Sequence, residues 1–247
     1  MYKLKQIFAM DLINLLTNPM WVFYAIGFPL ALILALGFLA SGSFGNAVSS
    51  YDYYGVALMA FAIFNAATFS ANSFMEERIK SPNMRIIYSP VRVWHIPFSK
   101  ALATTVFCTV ANSIVAAFLH FAFGVNYGGS DSWLLFAIMF AAVFFFSSLG
   151  VLVCSIMKSE SSANNVVSLA LTLFALLGGV FFPVDGLGGA ISAASWISPA
   201  KWMLAASFRI IYDSDYSMLQ PVCATLALLS VASIALCGAF FKGEDYI

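Results

Sequence analysis

Residues 133–157 read WLLFAIMFAAVFFFSSLGVLVCSIM, and none of these 25 side chains carries a charge. A helix rises about 1.5 Å per residue and needs about 20 apolar residues to cross the hydrocarbon core of a bilayer. This stretch therefore predicts a transmembrane helix, and five further stretches resemble it in length and composition. The six predicted spans are residues 20–40, 54–75, 101–123, 133–157, 161–184 and 219–241.

The composition agrees with a membrane protein. Hydrophobic residues make up 62 % of the 247 residues, charged residues only 9 %, and the mean hydropathy is +0.93. These values exclude an ordinary soluble domain. The 11 basic and 11 acidic residues balance, so the net charge gives no general attraction for nucleic acid. All four cysteines fall inside the predicted spans without a CxxC spacing, which indicates core residues and predicts no metal site.

The distribution of basic residues predicts the orientation in the membrane. If all six stretches span, only Lys201 and Arg209 lie on one side, and nine basic residues lie on the other. Those nine are Lys3, Lys5, Arg78, Lys80, Arg85, Arg92, Lys100, Lys158 and Lys242. By the positive-inside rule, we expect both termini in the cytoplasm. The expected location is the cell (plasma) membrane.

The N-terminal segment, residues 1–19, is predicted to form an interfacial elbow. Apolar residues recur at spacings of 3 and 4 between Tyr2 and Thr17, which is typical of an amphipathic helix. Asn18 and Pro19 then end this helix and turn the chain into the first span. Residues 20–247 are predicted to form a single six-helix transmembrane domain.

Asp11 interrupts the apolar stripe of the predicted elbow helix. At about 100° per residue it projects among Leu4, Phe8 and Leu15 rather than onto the polar face. Two interpretations stay open: the carboxylate reaches to lipid headgroups, or it forms a salt bridge to a basic residue of the cytoplasmic loop. The candidate partners for such a bridge are Arg78, Arg85 and Arg92.

The loop after the second span, residues 76–100, is the most charged segment of the chain, with five basic and two acidic residues. Apolar side chains such as Ile86, Val91 and Trp94 are interleaved with these charges. The mixture predicts an amphipathic element that contacts lipid headgroups or a partner protein. Residues 185–218, on the opposite side, are too short for a spanning hairpin yet rich in apolar residues. They predict short re-entrant helices in the outer interface between spans five and six.

Polar residues within the second and third spans are candidates for a substrate path. Each span carries three of them on one helical face. The six are Asn65, Thr68, Asn72, Thr105, Thr109 and Asn112. The alternative interpretation is hydrogen bonding between helices, worth about 0.6 kcal/mol on average in membranes. No acidic or basic residue lies deep in a predicted span, which argues against an ion-coupled carrier because such carriers usually need an intramembrane carboxylate.

Several catalytic motifs are missing from the sequence. No GxxxxGK[ST] occurs, so the chain is not expected to bind ATP through a P-loop. His95 and His120 lack the spacing of a metalloprotease motif. Glu76-Glu77-Arg78 is similar to the glutamate motif of intramembrane metalloproteases, but Ser81 stands where that motif has its arginine. The sequence thus predicts a protein that is not an enzyme.

The order of local motifs carries a family resemblance. The motifs are Phe28-Pro29 in span one, Glu76-Glu77-Arg78 followed by Tyr88-Ser89-Pro90-Val91 and Lys100, Lys158-Ser159-Glu160 before span five, and Leu177-Gly178-Gly179-Val180-Phe181-Phe182-Pro183 at its end. Together with the elbow, six spans and the charged loop, they make the whole chain resemble the membrane subunit of a type-2 ATP-binding-cassette (ABC) exporter.

The resemblance implies an all-α integral membrane permease that pairs with a second copy of itself or a paralogue, within membrane lipid. Two separate ABC ATPases would dock in the cytoplasm and bind ATP and Mg, so this chain would hold no cofactor. The family's coupling helix corresponds to the segment that contains Glu76, Glu77, Arg78, Lys80 and Arg85.

The expected function is ATP-driven export of a hydrophobic or amphiphilic molecule such as a drug, a peptide antibiotic or a lipid-linked molecule. Export of polysaccharide or lipid-linked glycan is an alternative within the family. An ion-coupled carrier and a membrane scaffold or immunity protein without transport activity are the alternatives outside it.

Overall fold

The computed structural model describes residues 2–42, 49–75, 94–184 and 188–241. Within these residues the chain forms nine helices and no strand. The helices are α1 (Tyr2–Thr17), α2 (Pro19–Leu39), α3 (Ser50–Met75), α4 (His95–Phe123), α5 (Ser132–Met157), α6 (Glu160–Gly178), α7 (Gly189–Ser195), α8 (Pro199–Phe208) and α9 (Leu219–Phe240).

Six of these helices, α2 to α6 and α9, are long and apolar enough to cross a membrane. The prediction of an all-α membrane protein with six spans is thereby confirmed. The shorter α1 precedes the first span. We call the end of the bundle that carries α1 the N-terminal face and the opposite end the distal face.

The third helix, α3, is the centre of the bundle. In its most apolar window 83 % of the residues are buried, compared with 22 % in α2 and 28 % in both α6 and α9. It packs against α2, α4, α5 and α6, and ring contacts such as Phe64 with Phe146 and Phe69 with Phe107 fill the space between them. The outer helices α2, α6 and α9 therefore keep wide faces for lipid or a partner chain.

Small residues bring α3 and α5 into close contact. A Cβ added to Gly150 would overlap the Ala67 carbonyl oxygen and the Ser70 hydroxyl. The Ser70 hydroxyl donates to the Ser147 carbonyl oxygen at 2.7 Å. Small and hydroxyl-bearing residues serve helix contacts in membranes, because the hydrophobic effect contributes little between two apolar surfaces there.

A wider turn interrupts α2 next to Pro29. Residues Phe23–Gly27 form one π turn, and the regular helix resumes over Phe28–Leu39. Proline lacks the N–H that would bond the carbonyl four residues earlier, so the helix must adjust locally. At the start of the same helix, the Asn18 side chain accepts a hydrogen bond from the Met20 N–H at 3.1 Å, which caps the new helix after the elbow.

The structure corrects two predicted boundaries. The fifth span ends at Gly178 and not at 184, because Gly179 adopts φ +80°, which ends the helix in a left-handed cap. The third span begins at His95, so the last residues of the segment predicted as loop, 95–100, belong to α4. Pro97 is tolerated there because N–H groups in the first helical turn have no partner within the helix.

The distal segment contains the two short helices expected between spans five and six, α7 and α8, followed by a π turn over Arg209–Asp213. The Trp202 indole N–H donates to the Trp196 carbonyl oxygen at 2.8 Å, which links the two helices. The Ser198 hydroxyl donates to the Phe174 carbonyl oxygen at 2.6 Å. This bond holds the start of α8 against the distal end of α6.

Candidate functional site

A buried ion pair joins the elbow helix to α4. Lys100 Nζ lies 2.7 Å from Asp11 Oδ1, and the two side chains are 0 % and 7 % exposed. Asp11 shares a buried stripe with Ile7 and Leu15, at a spacing of four residues, and this stripe packs against α4. The carboxylate that interrupts the apolar pattern thus meets a lysine in the second turn of the third span.

The second carboxylate oxygen of Asp11 is not engaged by Lys100. Asp11 Oδ2 is buried without a hydrogen-bond partner among the described residues. Arg78, Arg85 and Arg92 lie outside the described residues, so a bond from one of them to this oxygen stays a prediction. Lys100 lies six residues after Trp94, where the described chain resumes, so the pair sits next to the charged loop along the chain.

The predicted coupling residues, Glu76, Glu77, Arg78, Lys80 and Arg85, also lie outside the described residues. The structure fixes the ends of their segment: α3 ends at Met75, and α4 begins at His95. Both ends belong to buried helices of the N-terminal face. These two helices therefore border the segment that contains the predicted coupling residues.

Four of the six polar candidates are buried within the single chain. Asn72 Oδ1 accepts a hydrogen bond from Asn164 Nδ2 of α6 at 2.6 Å. The Thr105 hydroxyl donates to the Ala101 carbonyl oxygen of its own helix at 2.6 Å. Thr109 and Asn112 are 6 % and 2 % exposed. A role of these side chains in a path stays a prediction.

The other two candidates, Asn65 and Thr68, are half-buried. The antiparallel helices α3 and α6 are joined near both ends, by the Asn72–Asn164 bond and by a 2.7 Å bond from the Tyr53 hydroxyl to the Gly179 carbonyl oxygen. Thr68 lies four residues from Asn72 along α3, and Ser168 lies four residues from Asn164 along α6. The two hydroxyls therefore lie at about the same height in the bundle, since each helix rises about 1.5 Å per residue.

A polar stripe on α6 is the functional candidate that the sequence analysis missed. Ser161, Asn165, Ser168 and Thr172 follow one another at spacings of 4, 3 and 4, and all four are exposed. At about 100° per residue this stripe lies beside the buried face of Ala163, Val167, Leu171 and Ala175. The 3 and 4 spacing of these polar residues was the signal that could have identified the stripe.

The polar stripe is unfavourable against lipid. The Thr172 hydroxyl donates to the Ser168 carbonyl oxygen at 2.7 Å, so it is satisfied within the helix. The Asn165 amide is exposed and offers two donors and two acceptor positions, which hydrocarbon cannot satisfy. The stripe therefore fits a protein surface or an aqueous path better than acyl chains.

The two basic residues predicted on the distal side line one cavity there, of about 350 Å³. Lys201 and Arg209 share this lining with Asp213. Arg209 Nη1 also lies 3.5 Å from Asp215 Oδ2. Hydrogen bonds from the Ser217 N–H and hydroxyl lower the pKa of Asp215, with a smaller contribution from Arg209. The cavity thus combines cationic and anionic groups at the distal face.

Six spanning helices, of which α3 is the central one, and an elbow helix fixed to the bundle define a multi-pass α-helical membrane protein. The model of the ABC-2 type transporter family matches residues 2–212. The chain therefore belongs to the ABC-2 type transporter family and is a permease component, as the sequence motifs indicated. No curated protein is similar enough to the chain to count as a relative.

Proposed function

We propose that this chain is the permease subunit of an ATP-driven exporter and that its energy comes from separate ABC ATPase subunits. Family membership supports the permease role, and ABC-2 permeases normally work with ABC ATPases. The sequence contains no P-loop, so ATP and Mg would bind to the partner. The exposed polar stripe on α6 is the observation that carries the proposal, because a spanning helix with this surface needs a partner other than lipid.

The proposed working unit is a dimer of permeases with two ATPases. The polar stripe of α6 would face the same stripe of a second copy, and the half-buried Asn65 and Thr68 lie near its height. In the proposed dimer, the facing surfaces of the two α6 helices combine the hydroxyl and amide groups of the stripes with neighbouring leucine and valine side chains. Such a surface suits a hydrophobic or amphiphilic molecule, because apolar area gives most of the binding and a few polar groups orient the ligand.

Force would enter through the segment between α3 and α4. In this account Glu76, Glu77, Arg78, Lys80 and Arg85 contact the ATPase on the cytoplasmic side. The buried Asp11–Lys100 pair, at 2.7 Å, would carry motion from the start of α4 to the elbow helix and so to the first span. Elbow and bundle would move as one domain.

The orientation belongs to the same proposal. If all six helices span, the sequence assigns nine of the 11 basic residues to the side of the N-terminal face, which would be cytoplasmic by the positive-inside rule. The distal cavity would then open outside the cell membrane.

Cysteine crosslinking tests whether α6 faces a second copy. Thr172→Cys, in a background with the partly exposed Cys223 changed to Ala, is expected to convert most of the chain into a covalent dimer when membranes are treated with a short bifunctional maleimide. Because the stripes of two copies face each other in the proposed dimer, Thr172 of one copy lies near Thr172 of the other. The measurement is the dimer band on a denaturing gel.

Thr225→Cys on α9 is the matched control. Thr225 is also exposed, and its hydroxyl also donates to a carbonyl oxygen four residues earlier, at 2.8 Å. It should stay monomeric because α9 carries no such polar stripe and faces lipid in the proposed dimer. Equal crosslinking of the two variants, or none at Thr172, would contradict the proposed arrangement.

A further inference from the structure

A cavity of about 600 Å³ lies between α3, α4 and α5, close to the distal face. This volume falls in the range of about 300–1,000 Å³ that is usual for small-molecule sites. Its floor consists of buried side chains of α3, and α8 adds Met203 and Leu204 to the wall. The floor residues are Val56, Met59, Ala60 and Ile63. All of these side chains are apolar.

The lining of the cavity follows three spanning helices. It extends over residues 56–63 of α3, 113–121 of α4 and 132–139 of α5. Eight or nine residues of helix rise by about 10–12 Å at 1.5 Å per residue. Because these helices span the membrane, the lining extends by about 10–12 Å in the direction of the bilayer normal. Acyl chains of lipids run in the same direction.

The rim of the cavity faces hydrocarbon rather than water. Phe121, Trp133 and Phe136 line it and are 86 %, 66 % and 49 % exposed. Large apolar side chains that remain exposed on spanning helices contact lipid in a membrane. The opening between α4 and α5 is therefore accessible from the bilayer. An apolar space of this size that stayed empty would lose the packing contacts of its lining.

Polar groups are concentrated at the distal end of the cavity. His120 Nδ1 lies 2.9 Å from the Val125 carbonyl oxygen, so this nitrogen carries a proton and donates it, which leaves Nε2 for another partner. The Tyr127 hydroxyl lies 3.6 Å from Met59 Sδ. Burial and the nearby Asp52 carboxylate raise the pKa of Tyr127, so the phenol stays protonated as a donor. Trp133 stands at the same end, in a position typical of the membrane interface.

We propose that this cavity binds one acyl chain of a bilayer phospholipid from the leaflet at the distal face. The chain enters between α4 and α5 and extends past Ala60 toward Ile63. The ester and headgroup region lies at the polar end, within reach of His120 and Tyr127. The bound chain acts as a structural ligand that fills the space between three spans.

The shape of the site favours an acyl chain over a helix of a second copy. A helix with its side chains is about 10–12 Å wide and does not fit between α4 and α5, which pack against each other. The exposed polar stripe that calls for a protein partner lies on α6, a different helix. A lipid here requires only the spanning helices and is independent of the transport activity proposed above.

Photocrosslinking with defined lipids tests the site. The purified chain is placed in phosphatidylcholine nanodiscs that contain a trace of a phospholipid with a diazirine at the end of one acyl chain or, in a second sample, at the headgroup. Labelled residues are then mapped by mass spectrometry. The chain-end probe is expected to label the deep lining at Ile63, Ser113 and Met139, and the headgroup probe should label the region of His120 to Trp133.

A filled variant and a matched control make the test specific. Ala116→Phe adds a ring to the cavity lining and should reduce chain-end labelling of Ile63 about tenfold, because the lipid loses its apolar contact area. Ile114→Phe adds a ring on the same helix at a position that is 51 % exposed and does not line the cavity. It should leave the labelling unchanged.

Three results would overturn the proposal. The first is observed in the unchanged protein and needs no variant. It is labelling by the chain-end probe that is no stronger at Ile63 and Ser113 than at the lipid-facing Val110. The second is a properly folded Ala116→Phe protein that keeps full labelling of Ile63. Crosslinks between the α4–α5 openings of two copies, at the expense of lipid, would likewise reject a lipid in favour of a second copy.

Discussion

Replacing Lys100 by methionine is expected to destabilise the purified protein by about 3–5 kcal/mol, because it leaves the buried Asp11 carboxylate without its cation. Asp11 has no second hydrogen-bond partner among the described residues, so nothing there compensates for the loss. Methionine keeps most of the length and apolar area of the lysine stem. The measurement is the unfolding free energy in mixed micelles, from titration with a denaturing detergent.

Two further variants separate the ion pair from general effects. Lys5→Met removes an exposed charge from the same elbow helix and should change stability by less than about 0.5 kcal/mol. The double variant Asp11→Leu/Lys100→Met removes both charges and should regain most of the loss, because replacing a buried pair by apolar residues is often neutral. A Lys100→Met protein as stable as the unchanged chain would contradict the structural role of the pair.

Gly150→Ala is the second change with a large expected effect. Its Cβ would overlap the Ala67 carbonyl oxygen and the Ser70 hydroxyl, so the backbones of α3 and α5 must move apart. Overpacking of this kind costs about 1–3 kcal/mol. The bond from Ser70 to the Ser147 carbonyl oxygen, at 2.7 Å, lies in the same contact and should weaken. The same unfolding titration measures the loss.

Gly238→Ala is the control, with the opposite expected sign. A Cβ at Gly238, in α9, meets nothing within 4 Å, so the substitution should be neutral or stabilise the helix by up to about 1 kcal/mol through helix propensity. If Gly150→Ala also proved neutral or stabilising, this result would contradict the close contact between α3 and α5.

The sequence was sufficient to predict the number of spans, because a stretch of about 20 residues without charge has few other uses. The predicted end of the fifth span was wrong. The run of apolar residues continues through Gly179, but the left-handed backbone of Gly179 ends the helix. The start of the third span was wrong for the converse reason. His95 to Lys100 contains proline and charge, yet forms the first turns of α4.

Hydropathy was not sufficient to predict which span lies at the centre. Lipid is as apolar as a protein core, so a lipid-facing helix and a buried helix have similar compositions. The distinction between α3 and α6 lies instead in polar and small residues: Gly150 of α5 marks a close contact with α3, and Asn165 marks an exposed surface of α6. The polar face of α6 is as regular in the sequence as those of spans two and three, but it was not among the predicted site residues.

The Asp11–Lys100 ion pair was predicted only in part from the sequence. Asp11 in an apolar stripe predicted a basic partner near the charged loop, as one of two interpretations. Three arginines were the candidates, whereas the described contact is with Lys100. Lys100 was predicted to be the last residue of the loop. It faces the elbow helix because α4 already begins at His95. The basic partner of Asp11 is distant in sequence, so it could not be chosen before the start of α4 was known.

The most direct test of the central claim is ATP hydrolysis by the purified chain, measured alone and in proteoliposomes together with a candidate ABC ATPase partner. We expect background hydrolysis by the isolated chain and, with the ATPase present, turnover of about 1 s⁻¹ or more. Glu77→Ala/Arg78→Ala in the permease should reduce ATPase retention without preventing membrane insertion. Hydrolysis by the isolated chain at that same rate would contradict an energy source in a separate subunit.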